Sequence, residues 1–396
     1  MAGGATARSN ILRSVRVVVL GAGFGGLEIA ATLSEQLGDD ADVLLIDRSE
    51  GFVFGFSKLD VMFGRRVADE VFHPYDAITK PGVRFLRSEI RAIDPAAKSV
   101  LTDAGTFHGD VLVVALGADL EPSATPGLVE AGHEFYTTGA AFDLRDVLAD
   151  FSGGEVVIGV TSTPFKCPPA PSETALLMHD HLTNTGVRSR STISLVMPLG
   201  APIPPSPAAS KVLLAAFAER GIAWHPERLV VELDPRRKVV VFSDGEEMKF
   251  DLFLGVPRHV VPPVVERAGM TVDGWVPVDP RTLETPYPGV YAVGDVASVG
   301  TPKAGVFAEG QAAVVAAQLV ARHRGEETST AYAGRGICYL EFGEDTVAKV
   351  DVTFLSGQAP VGDIEGPSEL IAGEKHEFGT SRVRRWFDRA WPEGGQ

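Results

Sequence analysis

Six residues, GAGFGG over 21–26, set the tightest limit on how this chain can fold. They follow VRVVVL, a β-branched run, and lead into LEIAATLSEQL, whose apolar residues recur at helical spacing. The order is therefore strand, turn, helix. A second apolar strand over 42–46 is closed by Asp47, which completes a βαβ unit. In that setting Gly21, Gly23 and Gly26 satisfy G-x-G-x-x-G, the turn that receives a dinucleotide. Gly21 permits the tight turn, Gly23 lets backbone approach a pyrophosphate, and Gly26 lets helix and strand pack closely. Phe24 and Gly25 share the helix start, whose N–H groups attract an anion. Asp47, with Arg48 beside it, stands where a carboxylate accepts from a ribose hydroxyl; a plain strand-end aspartate would read the same way.

A pattern then occurs twice. FHGDVLVVALGA (107–118) is echoed by MKFDLFLGVPRH (248–259), and each follows a hairpin-like stretch with a glycine at its turn. Such duplication argues for two related nucleotide-binding folds in one chain. A chain of 396 residues also exceeds the roughly 250 that one hydrophobic core serves. The expected class is α/β, with two Rossmann-like dinucleotide-binding domains and a small C-terminal region. Residues 1–118 and 265–330 form the first domain, 119–264 the second, and 331–396 the C-terminal region.

Charge and cysteine usage exclude several functions. A net charge of −16 repels phosphate backbones, so nucleic acid is not an expected partner. No apolar run reaches the ~20 residues that span a bilayer; the most apolar helical stretch, 306–321, is broken by Glu309 and Gln311. Arg8, Arg13 and Arg16 precede an apolar run of only 17–20, too short for a secretory signal, so a cytoplasmic location is expected. The two cysteines, Cys167 and Cys338, lack C-x-x-C spacing and make neither a disulfide scaffold nor a zinc site. His179 and His181, two apart on a helix, point different ways, so no metal is expected.

A nicotinamide-using enzyme would need a second glycine turn after the strand over 155–160. The chain offers TSTPFKCPPAPSE (161–173) instead. Its prolines have no N–H to give a pyrophosphate, and their rings fill space that glycine leaves open. Cys167 stands among them, at the strand end where open α/β sheets bind ligands. By spacing alone, Cys167 and Cys338 also read as two unrelated buried thiols.

The segment VYAVGDV (290–296) resembles the second FAD motif of the pyridine nucleotide-disulfide oxidoreductase superfamily, whose tandem domains follow the glutathione reductase plan. The resemblance implies an FAD site that includes Gly117, Gly294 and Asp295, with Asp295 bonding the ribityl chain. Lys303, ahead of an Ala-rich helix, would face the flavin pyrimidine edge; a solvated helix-start lysine is the plainer reading. With PFKCPPAPSE and GICY added, the chain resembles the sulfide:quinone oxidoreductase and flavocytochrome c sulfide dehydrogenase family. That implies Cys167 and Cys338 as a disulfide or polysulfide bridge on one side of the flavin. Sulfide attacks the bridge, and the thiolate at the Cys338 position then adds to the flavin. Glu173 matches the acid/base glutamate, although a charge compensating a helix N-terminus would also be a glutamate there.

The departures matter too. HEFYTTGAA (133–141) lacks the third cysteine common in quinone-linked members, and GFSKLD (55–60) lacks the cysteine that binds flavin covalently in the flavocytochrome branch. Noncovalent FAD is expected, with sulfide or a persulfide as donor and quinone as acceptor. Two other readings stay open, a type II NADH dehydrogenase-like NAD(P)H oxidoreductase and a non-enzymatic flavin redox sensor. Near the C-terminus, Val383, Trp386, Phe387, Ala390 and Trp391 share one helical face among Arg382, Arg384, Arg385 and Arg389. An amphipathic aromatic helix of this kind suits the lipid interface on the inner face of the cell membrane. Its other destinations are the protein's own body and the partner of a homodimer.

Overall fold

The β-branched residues that announce the first strand are buried on both of its faces. In the computed structural model, which describes residues 15–354 and 359–391, Arg16–Leu20 is the middle of a five-stranded parallel sheet. The order is Val290–Ala292, Val111–Val114, Arg16–Leu20, Asp42–Asp47, Val83–Arg87. Val18, Val19, Leu20, Val113 and Val114 are fully buried, as a parallel sheet covered on both faces requires. Helices Phe24–Leu37 and Gly305–Arg324 pack together on one face. A three-stranded antiparallel meander, Ile90–Asp94, Ser99–Thr102 and Gly105–His108, covers the other. The strand Val290–Ala292 and the helix Gly305–Arg324 thus return from beyond the second sheet to finish the first.

The second sheet repeats this plan. His133–Glu134, Leu252–Val256, Gly154–Val160, Ser191–Val196 and Ile222–His225 lie in that order, all parallel. Helices Ala170–Asn184 and Pro207–Arg220 cover one face, and another antiparallel meander, Val230–Asp234, Val239–Phe242 and Glu247–Lys249, covers the other. The α/β class with two Rossmann-like domains agrees with this architecture. Arg8 and Arg13, read above as part of the N-terminal charge pattern, lie outside the described residues.

The C-terminal region ties the two halves together. Strands Arg335–Gly343, Thr346–Thr353 and Val361–Ser368 form an antiparallel sheet whose Leu340, Phe342 and Val350 join the core of the second domain. The helix Glu369–Phe387 then sends Val383, Trp386 and Phe387 into the core of the first.

Of the destinations open to this helix, the protein's own body is the one these anchors take. Trp386 is 1% exposed, sits edge-on to Phe24 and Phe52 at 5.6 and 5.7 Å, and donates its indole N–H to Glu28 at 3.1 Å. The arginines follow suit: Arg385 pairs with Glu28 and Glu35, and Arg382 grips Glu309 with bonds of 2.9 and 2.8 Å. A stripe of aromatics gains as much from a protein groove lined with phenylalanine as from acyl chains, and here the groove has matching carboxylates. Arg384, Arg389 and Ala390 stay exposed. Among the described residues no helix is long and apolar enough to cross a membrane.

Candidate active site

A cavity of about 390 Å³ opens at the carboxyl ends of the first sheet's strands, where both domains and the C-terminal sheet meet. Its floor is the glycine turn. A Cβ on Gly26 would lie 1.9 Å from the Gly21 carbonyl oxygen, so the helix can approach the strand this closely only with glycine there. Gly23 is the opposite case: nothing lies within 4 Å of its would-be Cβ, and the residue lines the cavity. The helix Phe24–Leu37 has no side chain capping its start, which leaves first-turn N–H groups for an anion.

Asp47 is already engaged. One carboxylate oxygen accepts from the Ala22 N–H and the other from the Ser49 N–H, both at 2.8 Å, so the residue ties the strand end to the glycine turn. Arg48 is exposed between Glu89 and Asp119, each 3.7 Å away. Gly117 and Gly294 line the cavity with backbone at positive φ, and Asp295 lies beside Gly294. Burial raises the Asp295 carboxyl above its ordinary range, while Lys166, Lys303 and Lys58 pull it back. An open glycine turn, an uncapped helix start and a carboxylate at the wall fit a dinucleotide such as FAD.

Lys303 does not line this cavity. Its ammonium donates to the Asp295 carbonyl and sits 3.3 Å from the centre of the Trp275 ring. Burial brings it down to about 8, with Asp295 opposing. The lysine expected at the flavin edge is thus engaged by an indole and by the backbone of Asp295, through a cation–π contact and a hydrogen bond. The lysines that do line it are Lys58 and Lys166, neither singled out in the sequence. Lys58 belongs to GFSKLD and donates to the Tyr136 carbonyl at 2.6 Å; burial and then Lys166 lower it to about 8. Tyr136 itself comes from HEFYTTGAA and also lines the cavity. The two segments were read only for the cysteines they lack; a lysine beside an apolar helix start was the available signal.

Cys167 and Cys338 both line the cavity as free thiols. Cys167 adopts a left-handed backbone, φ 50°, which a non-glycine residue holds only when its surroundings impose it. Here its N–H donates to the Lys303 carbonyl at 2.6 Å, and its carbonyl accepts from Ala170 at 2.9 Å. The proline-rich loop is thus pinned across to the segment that leads into the helix Gly305–Arg324. Cys338 lies on the strand Arg335–Gly343, opposite Val350. Cys167 is exposed and Cys338 half-buried at the cavity surface, and loss of hydration among the cavity walls, then the Glu173 carboxylate, push both thiols up, Cys338 to about 12 and Cys167 above its ordinary value.

Glu173 is 5% exposed in the first turn of the helix Ala170–Asn184 and also lines the cavity. Burial raises it to about 7; Lys375 and Arg65 pull it down and the Glu341 carboxylate pushes it up. Glu341 is itself gripped by Lys375 and Arg65, which hold it at about 2 against the effect of burial. Glu173, raised to about 7, therefore exchanges its proton near neutral pH, while Glu341 stays ionised. Phe56, Ile337, Tyr339 and Phe378 make an apolar end to the cavity, with Tyr339 and Phe378 rings 5.5 Å apart.

A family model described as pyridine nucleotide-disulphide oxidoreductase matches residues 15–319. The chain is 25% identical over 344 residues to a mitochondrial sulfide:quinone oxidoreductase of Dictyostelium discoideum, covering 82% of this chain and 74% of that one. It is 29% identical over 357 residues to a sulfide-quinone reductase of Aquifex aeolicus, covering 83% and 81%. The solved structure of the Aquifex aeolicus sulfide:quinone oxidoreductase superposes with a TM-score of 0.82 at 24% identity, over 94% of this chain and 92% of that one. A shorter match, 34% identical over 115 residues, joins 28% of the chain to 29% of a type II NADH:quinone oxidoreductase of Staphylococcus saprophyticus.

Proposed function

The chain belongs to the pyridine nucleotide-disulphide oxidoreductase family, and on that premise we propose that it is an FAD-dependent enzyme that oxidises sulfide or a persulfide through Cys167 and Cys338 and passes the electrons to quinone. One observation carries the reading. Two cysteines that are 338 − 167 = 171 positions apart in the chain line a single cavity with the glycine turn and Asp295. The likeness, over 82% and 83% of the chain, to proteins named for sulfide and quinone supports it.

FAD, when bound, supplies the two-electron sink between a sulfur donor and the acceptor. The chain's own groups do the rest. A sulfide nucleophile attacking a Cys167–Cys338 disulfide forms a new S–S bond at one sulfur and releases the other as thiolate. Both thiols are pushed up by the cavity walls around them and by Glu173, so each proton that leaves or returns needs a partner group. Glu173, poised near pH 7 and acting on both thiols, is that partner. The apolar wall of Phe56, Ile337 and Phe378 excludes water and suits a quinone ring. Quinone dissolves in lipid, so the working enzyme meets its acceptor at a membrane surface.

The local likeness to a type II NADH:quinone oxidoreductase favours a second reading, with NAD(P)H as donor. Against it stand the prolines where a pyrophosphate cradle would lie. Anaerobic titration separates the two. Sulfide is expected to bleach the flavin of the wild-type protein but not that of Cys338→Ser. Equal bleaching of both removes the cysteine mechanism, and rapid bleaching by NADH in place of sulfide moves the assignment to the second reading.

A further inference from the structure

Lys303 is held at both ends. Its backbone carbonyl accepts from the Cys167 N–H at 2.6 Å, and its ammonium donates to the Asp295 carbonyl while lying 3.3 Å from the centre of the Trp275 ring. The residue is 9% exposed, so it crosses the interior from the proline-rich loop to the cavity wall that carries Asp295. Asp295 follows the strand Val290–Ala292 of the first sheet, and Cys167 follows the strand Gly154–Val160 of the second. Cys167 needs such support. Its backbone is left-handed, φ 50°, a form that a β-carbon disfavours, and a loop freed from its partner relaxes out of it. A further bond, from the Ala170 N–H to the Cys167 carbonyl, carries the constraint into the helix Ala170–Asn184, whose first turn holds Glu173.

We propose that Lys303 is a positioning residue for Cys167: its buried side chain, fastened to Asp295 and Trp275, holds the loop in the backbone form that keeps Cys167 at the cavity with Cys338. The proposal rests on the reading of the two cysteines as a reacting pair. In that reading the pair cycles between two thiols and a disulfide. When the S–S bond forms, two electrons and two protons leave, and in a redox buffer glutathione disulfide takes both and becomes two thiols. Closure is favoured by how often the two sulfurs meet, so a loop held in place raises the equilibrium constant for the disulfide and a loosened loop lowers it. The segment that offers the carbonyl, 301–304, has no helix or strand of its own, so the carbonyl stays where the lysine side chain anchors it.

The FAD-loaded protein is equilibrated anaerobically at neutral pH with graded ratios of reduced to oxidised glutathione. Remaining thiols are trapped by alkylation, the Cys167–Cys338 disulfide is counted by mass, and flavin absorbance is read in the same samples. Lys303→Met should lower the equilibrium constant for the disulfide about tenfold, which raises the potential of the pair by about 30 mV. Lys303→Arg keeps a donor for the carbonyl and a cation for the indole, and should recover most of that loss. Trp275→Leu, which leaves the ammonium without its ring, should shift the pair in the same direction by less, and it decides the matter if the Met protein does not fold. An unchanged equilibrium in Lys303→Met or, failing that, in Trp275→Leu overturns the proposal even where Tm falls, because a residue that only stabilises the fold leaves the pair alone. Equal losses in the Met and Arg proteins overturn it too, as a packing effect. Wild-type thiols that pair at no buffer ratio end the paired-cysteine reading and this one with it, whereas an unmoved equilibrium in the variants removes only the role of Lys303.

Discussion

The backbone N–H of Glu341 donates to Glu173 at 3.0 Å, joining residues 168 positions apart. Glu341 lies three residues beyond Cys338 on one strand, and Glu173 lies six beyond Cys167 at the start of a helix. The bond therefore fixes the strand that carries one cysteine to the helix that follows the other. Lys375 and Arg65 close on the Glu341 side chain from behind, so the C-terminal helix takes part in the same anchoring.

Glu173→Gln keeps the acceptor for Glu341 but removes the exchangeable proton. Sulfide-dependent flavin reduction should fall about a hundredfold and lose its limb near pH 7, with flavin content unchanged. Stability should move the other way. The folded carboxyl, at about 7, binds its proton more tightly than the unfolded one at 4.5. That contribution is full below pH 4.5 and is lost as pH rises through 7. Thermal unfolding at pH 5 and pH 8 should therefore show Glu173→Gln gaining on the wild type at the higher pH, by up to about 3 kcal/mol. A constant difference across that range would mean that Glu173 is not the group so raised.

Two glycines of the turn predict different failures. Gly26→Ala drives a methyl against the Gly21 carbonyl and should cost about 3 kcal/mol, visible as a lowered Tm in the apoprotein. Gly23→Ala meets no protein atom, so the apoprotein should melt as wild type does. Its methyl points into open space at the cavity, where it obstructs a pyrophosphate, so the purified protein should lack the visible absorbance of bound flavin. Retained flavin in Gly23→Ala would put the pyrophosphate elsewhere.

The glycine turn, the strands on either side of it and the repeated hairpins were legible because each is written in a short window. Alternating or helical spacing fixes local backbone, and GAGFGG between strand and helix has few other uses. What failed to read was choice between partners. The spacing of Val383, Trp386 and Phe387 gave an apolar helical face, but lipid and the Phe24–Phe52 groove satisfy such a face equally. Among the lysines, position along the chain favoured Lys303, next to a helix start. Trp275, 28 positions earlier, takes its ammonium away, while Lys58 and Lys166 reach the cavity from segments with no motif. These are tertiary decisions, and no local pattern encodes them.

Trp386→Ala separates a structural anchor from a lipid anchor. The indole is fully buried among Phe24, Phe52 and Phe54 and donates to Glu28, so its loss should cost about 3–5 kcal/mol. Phe24 also lines the cavity, so flavin affinity should fall with stability. A lipid anchor would instead leave Tm untouched in membrane-free buffer and weaken only the binding to vesicles.

Lys303→Met tests whether that ammonium works on the flavin or on the fold. It is 9% exposed, bonded to the Asp295 carbonyl and laid over Trp275, outside the cavity wall. A flavin-facing cation would, on removal, lower the reduction potential and shift the absorbance of the bound flavin. The structure predicts neither change, and an effect on stability in their place. The folded amine at about 8 holds its proton less tightly than the unfolded one at 10.5. The cost of charging it is therefore complete below pH 8 and fades as pH rises to 10.5. Methionine carries no such cost, so the Tm of the variant relative to wild type should decline steadily between those values. A flat difference together with a displaced flavin potential would return Lys303 to the flavin edge.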